Sequence, residues 1–173
     1  MTSSLAKLLR QSISNEDELI TIGQEVSYTK SYLIIQSMRY RDKLEFEIDM
    51  EEHILAYRII KLVLQPLVEN AIYHGIKYKE DMGVLRIIGY RQEDTVVLQV
   101  IDNGIGMDEK TMEHIFEKKE DRKSNGVGVY NVQNRLQLYY GSNYGISYES
   151  AVQKGTVASI IIPYKGEDNN EKV

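Results

Sequence analysis

Four short segments of this chain constrain its fold more than anything else in it. They are Gln65-Pro66-Leu67-Val68-Glu69-Asn70-Ala71, Asp102-Asn103-Gly104-Ile105-Gly106-Met107, Gly126-Val127-Gly128-Val129 and Gly155-Thr156. Glycine reaches backbone conformations closed to other residues and lets another chain or a ligand come close. The pair at 104 and 106 follows an apolar run, and the pair at 126 and 128 opens a helical pattern. Each segment also has an ordinary reading. Asp-Asn-Gly is a common turn, Asp102 can cap a strand end, and Gly126 can cap a helix that binds nothing.

The pattern between these segments sets the expected elements. Residues 5–13 place Leu5, Leu8, Leu9 and Ile13 at helical spacing, as the remnant of a longer helix, and Ser14-Asn15-Glu16-Asp17 breaks it. Residues 24–41 read as an amphipathic helix with Val26, Tyr32, Leu33, Ile35 and Gln36 close together on it. From Lys43 to Asp49, Leu44, Phe46 and Ile48 alternate with acidic residues, as in a half-buried strand. Residues 57–78 read as a third helix. Ile60, Leu64, Leu67, Val68, Ala71 and Ile72 gather on its buried side, and Asn70, Tyr73, His74 and Lys77 on another. Pro66 either kinks this helix or marks a later start. Strands follow at 84–91 and 95–102, a helix at 127–140, and strands at 146–151 and 156–163. These elements predict an α+β, two-layer α/β sandwich. Its sheet is mixed, mostly antiparallel, with helices on one face.

Composition sets outer bounds. A chain of 173 residues can bury one full core. The net charge of −5, with both signs spread along the chain, argues weakly against a nucleic-acid partner. Without cysteine there is neither a disulfide framework nor a thiolate metal site. No apolar run approaches the roughly 20 residues that span a bilayer, so a cytosolic domain fits.

In their order and spacing the four segments resemble the N, G1, G2 and G3 boxes of the Bergerat ATP-binding fold. The stretches at 64–75 and 126–136, with Tyr32-Leu33-Ile34-Ile35-Gln36 and Arg39-Tyr40 upstream, resemble the LytS/YehU-type sensor histidine kinases. The resemblance runs from about residue 5 to Pro163. It implies that ATP and Mg²⁺ are bound, with Asn70 holding the metal against the phosphates. One neutral amide oxygen is a poor Mg²⁺ site alone, so the metal should enter with nucleotide. Asp102 would accept from the adenine amino group and oppose guanine, which presents a carbonyl there. Gly104, Gly106 and Met107 would line the base, and the Thr156 hydroxyl would reach it through water. Gly126, Val127, Gly128 and Val129 would present backbone N–H groups and a positive helix end to the β- or γ-phosphate. Residues 108–125 hold eleven charged side chains among eighteen and match the ATP lid, with Phe116 as its anchor.

Two positions depart from relatives. Where hydrolytic members carry a glutamate before the Asn, this chain has Pro66. Where many histidine kinases carry a phosphate-contacting lysine after it, this chain has Tyr73, leaving Lys77, one turn on, as the candidate phosphate contact, with Asn70, Tyr73 and His74 lining the nucleotide cleft beside it. An acceptor histidine is also missing: His53, His74 and His114 all lack the Asn-Pro-His-Phe-type context. The expected organisation is therefore three-part. Residues 1–22 are the remnant of an upstream dimerisation and phosphoacceptor region, 23–164 the catalytic ATP-binding domain, and 165–173 a polar tail. The implied partners are the upstream region, a response regulator and a second copy in a homodimer, with the full-length protein anchored in the bacterial inner membrane. A nucleotide-sensing module without phosphotransfer is the competing reading, and an ATP hydrolase or serine kinase is disfavoured by Pro66.

Overall fold

The computed structural model describes residues 19–116 and 127–164. The helix expected at 5–13, the break at 14–17, Gly126 and the tail at 165–173 lie outside the described residues.

Strand β1 (Leu19–Thr21) leads into helix α1 (Ile22–Tyr40). Thr21 caps this helix: its hydroxyl accepts from Gln24 N at 3.1 Å, and Gln24 Oε1 accepts from Thr21 N at 2.9 Å. Two orphan N–H groups of the first turn are thus satisfied reciprocally. The helix buries Ile22, Glu25, Thr29, Tyr32, Leu33 and Gln36. Ile35, expected among them, is 40 % exposed, because the buried side runs through positions 25, 29, 32, 33 and 36. Strand β2 (Leu44–Met50) follows, with Leu44, Phe46 and Ile48 more buried than the acidic residues between them.

The third expected helix is shorter at its start. Arg58–Ile60 form strand β3, paired antiparallel with β1, and helix α2 begins at Leu64. Ile59 and Ile60 are β-branched and fully buried, and Ile60 fell on a helical period with Leu64 by coincidence. Pro66 is the third helical residue, where its missing N–H costs nothing. Leu64–Asn70 is α-helical, Ala71–Gly75 widens to a π-helical turn, and Ile76–Tyr78 tightens to 3₁₀. A π turn is rare and commonly falls at functional positions.

Strands β4 (Gly83–Gln92) and β5 (Thr95–Asp102) form a hairpin. A short helix α3 (Glu109–Glu113), capped by Asp108, stands in the charged segment. Helix α4 (Val127–Tyr140) and strands β6 (Gly145–Ala151) and β7 (Gly155–Pro163) complete the described chain. The main sheet has the order β2-β4-β5-β7-β6. Only β2 and β4 are parallel, joined by the crossover that carries α2. Leu85, Ile87, Val96, Leu98, Val100, Ala158, Ile160 and Ile162 alternate along three strands and pack with Leu33, Leu64, Leu67, Ile72, Val132 and Leu136 in one core. The mixed, mostly antiparallel sheet with helices packed on it matches the expectation.

Thr21→Ala should cost about 1 kcal/mol of stability by removing the cap. Urea unfolding measures this, and Thr21→Ser should restore most of it.

Candidate functional site

Strand β5 ends in a buried carboxylate. Asp102 is 6 % exposed. Its Oδ1 accepts from Gly104 N at 2.8 Å, and the Thr156 backbone N–H supports it from β7. Burial is the dominant influence and pushes its pKa up to about 6, against these two N–H groups and the Lys79 ammonium. A carboxylate offers about four lone-pair sites, so it retains capacity for a further donor.

Three glycines make room for it. A Cβ on Gly75 would stand 2.8 Å from Asp102 Oδ1. One on Gly104 would collide with the Gly75 backbone, and one on Gly155 with the Asp102 carbonyl. Gly155 also has φ of +84°, and Gly106 has φ of +65° with its Cβ direction blocked by the Ala151 carbonyl. The turn after β5 is thus pressed between the end of the α2 segment and the β6–β7 hairpin. Gln153 N donates to Ile105 O at 2.7 Å, and Met107 N to Ser150 Oγ at 2.9 Å. The Thr156 hydroxyl lies 2.9 Å from Ser150 Oγ, opposite Asp102 in the strand register. Asn103 clips the same turn to β4, accepting from Val84 N at 2.8 Å.

Asn70 is the last α-helical residue before the π turn, and it is half-buried. The Tyr148 hydroxyl of β6 faces its side chain, near enough to feel it but not aligned as a hydrogen bond. Phe116, the expected lid anchor, packs against Tyr148 with ring centroids 5.8 Å apart; residues 117–125 of the expected lid lie outside the described residues. Tyr73 is half-buried and turned toward Tyr32 of α1, where burial and then Tyr73 itself raise the Tyr32 pKa. His74 and Lys77 are exposed, and the Lys77 ammonium sits 5.7 Å from the Tyr78 ring centroid. Partial burial, then Lys77, lowers the His74 pKa and favours the neutral ring.

Gly128 lies in the first turn of α4 and is exposed; a Cβ there would touch Pro66 at 3.4 Å. Val129 is buried in the core, and the Val127 side chain is outside the described residues. The start of α4 therefore abuts the start of α2. Glu69 accepts from Gln65 Nε2 at 3.0 Å and acts on Tyr32, which puts it on the α1 side of its helix.

Sequence reasoning missed Gly75, Tyr148 and Ser150. The Gly75 signal was present in His74-Gly75, a glycine closing a helical run. Tyr148 and Ser150 are ordinary strand residues, brought here by strand order alone.

The residues fit a nucleotide better than a metal alone. Among the described residues, no three His, Cys, Asp or Glu side chains converge to hold an ion. Asn70 supplies one neutral oxygen, so an ion there needs phosphate oxygens.

Residues 57–166 match the family described as "Histidine kinase-, DNA gyrase B-, and HSP90-like ATPase", and residues 1–44 match a second described as "Histidine kinase". The chain is 34 % identical to the sensor histidine kinase YesM of Bacillus subtilis over 96 % of its own length and 28 % of YesM. It is 28 % identical to the sensor protein LytS of Oceanobacillus iheyensis over 93 % of its own length and 28 % of LytS. The chain thus spans under a third of these relatives. Among solved structures, the nucleotide-free catalytic domain of the histidine kinase ThkA superposes with a TM-score of 0.63 at 19 % identity, covering 84 % of this chain and 94 % of that one. The histidine kinase domain of a blue-light activated kinase from Erythrobacter litoralis gives 0.60 at 15 %, covering 86 % and 63 %. The chain belongs to the histidine kinase-, DNA gyrase B- and HSP90-like ATPase family.

Because its folded-state pKa is raised, Asp102 holds a proton between about pH 4 and 6 that the unfolded chain has released. Stability should therefore fall as pH rises through that window, by on the order of 2 kcal/mol. Asp102→Asn should flatten this slope in unfolding titrations. Gly155→Ala should be far more destabilising than Gly141→Ala. Both have positive φ, but a Cβ at 141 meets nothing within 4 Å.

Proposed function

We propose that this chain binds Mg-ATP between α2, the turn after β5 and the start of α4, and passes the γ-phosphate to a histidine imidazole on a dimerisation region of the same polypeptide. The buried Asp102 in its glycine cradle carries the reading. A carboxylate is kept in the core at a raised pKa, with acceptor capacity beyond its two N–H groups, and Gly75 and Gly104 stand against it where a Cβ would intrude.

Asp102 accepts from the adenine amino group, and the Gly104–Gly106 turn lets the base lie against backbone. The Thr156 hydroxyl adds a contact through water. Asn70 directs its amide oxygen to Mg²⁺, which when bound neutralises phosphate charge and orients the γ-phosphoryl group. The first N–H groups of α4, from Val127 to Val129, face the phosphates. Tyr73 is turned toward Tyr32, so Lys77 is the cation nearest in sequence for that role, with neutral His74 beside it. Pro66 packs toward Gly128 and cannot act as a base. A neutral imidazole nucleophile needs none, whereas water or a serine hydroxyl does. The acceptor lies elsewhere than His53, His74 and His114, and a response regulator takes the phosphate next. A homodimer would bring acceptor and catalytic domain together. Among the described residues no helix is long and apolar enough to cross a membrane.

A nucleotide-sensing module without phosphotransfer is the second reading, favoured by Tyr73 being turned to Tyr32 in place of a phosphate-binding lysine. Adding the acceptor region with labelled ATP separates the two: an acid-labile phosphate on it supports transfer, and its absence despite bound ATP supports sensing.

Two variants test the site. Asn70→Ala should weaken Mg-ATP by calorimetry far more than metal-free ATP, and equal losses would make Asn70 structural. Asp102→Ala should lower ATP affinity roughly tenfold to a hundredfold and erase preference over GTP. GTP competing equally with ATP on the unmutated chain would overturn the adenine assignment.

A further inference from the structure

Glu25 is the one fully buried acidic residue on α1, at 1 % exposure. Its carboxylate crosses to the start of α2. Oε1 accepts from Val63 N at 2.7 Å and Leu64 N at 2.9 Å, and Oε2 from Leu62 N at 2.8 Å. Helix α2 has no side-chain cap of its own, so this carboxylate serves in place of one. From the other side, Arg135 of α4 donates through Nη2 to Lys61 O at 2.9 Å. Between the two grips Leu62 has φ of +61°, a conformation an L side chain seldom holds unaided. Two charged side chains from two different helices thus fix one strained connection, just before the helix that ends in Asn70.

We propose that Glu25 and Arg135 are positioning residues for Asn70: by gripping residues 61–64 they set where α2 begins, and so where the Asn70 amide oxygen stands relative to the start of α4. The seven-residue helix Leu64–Asn70 runs from the gripped segment to Asn70 at its far end. A short rigid helix carries a shift of its first turn to its last. Arg135 stands two turns along the helix that begins at the Gly128 turn. The grip therefore ties the metal-facing amide and the phosphate-facing N–H groups to a common point. This rests on the reading that Asn70 takes the metal with nucleotide.

A general packing role would lower every nucleotide affinity alike; a positioning role for Asn70 lowers only the share that needs metal. Binding of Mg-ADP, and of ADP with EDTA, to the whole chain and to Glu25→Gln and Arg135→Met distinguishes these. In Glu25→Gln one oxygen becomes an NH₂ facing the Leu62 N–H. Mg-ADP affinity should fall about tenfold while metal-free ADP changes less than about twofold. Arg135→Met should act in the same direction. The double variant should lose less than the sum, since both grips hold one segment. Equal losses with and without metal, or no loss in either, would overturn the proposal. Should Glu25→Gln not fold, Arg135→Met carries the same comparison. Without nucleotide, the amides of residues 62–64 should exchange faster in both variants, and the Asn70 side-chain NH₂ resonances should shift. If the unmutated chain binds no ADP, the functional reading fails. Unmoved Asn70 resonances in the variants then overturn the positioning role separately.

Discussion

The placement of one carboxylate in the core dictates much of what surrounds it. Asp102 ends β5 where the sheet meets the α2 segment, and burying an ionised group is costly without donors. Backbone N–H groups of Gly104 and Thr156 supply part of that support, and the proton it holds up to about pH 6 supplies more. Both donors require close backbone approach, so Gly75 and Gly104 stand where a Cβ would intrude on the carboxylate, and Gly155 where one would meet the Asp102 main-chain carbonyl. The proposed function gives this buried carboxylate, with acceptor capacity to spare, a donor in the adenine amino group.

The second constraint is the helix from Leu64 to Tyr78. It starts where a carboxylate from α1 takes its first N–H groups, runs seven α-helical residues to Asn70, then widens into a π turn ending at Gly75. The widening leaves the Gly75 carbonyl to accept from Ile105 N at 3.3 Å. One segment therefore joins Asn70 to the turn after β5, the two places to which the proposed function assigns metal and base. Pro66 near its start faces Gly128; under the proposed function its ring cannot act as a base, and an imidazole acceptor needs none.

Much of this was legible in the sequence. The alternation at 84–91 and 95–102, the helix at 127–140 and the closing hairpin emerged nearly as read, because they are long and strongly periodic. The glycine pair at 104 and 106 marked the tight turn after β5 because its cause is local backbone geometry. What was missed has non-local causes. Strands β1 and β3 are three residues each, too short for a period to show, and they shortened the expected helix at its start. Thr21-Ile22-Gly23-Gln24 spells a capping box and could have placed the start of α1. Nothing near Glu25 or Tyr148 tells that one reaches residues 62–64 and the other faces Asn70. Those facts belong to helix packing and strand order.

A crystal structure of the chain with Mg²⁺ and a non-hydrolysable ATP analogue tests the account most directly. It predicts the adenine amino nitrogen within hydrogen-bond distance of an Asp102 carboxylate oxygen, the base against the turn at residues 104–106, and Mg²⁺ bound to Asn70 Oδ1 and phosphate oxygens. A nucleotide seated elsewhere, or one in this cleft with Asp102 and Asn70 both out of contact, would contradict it.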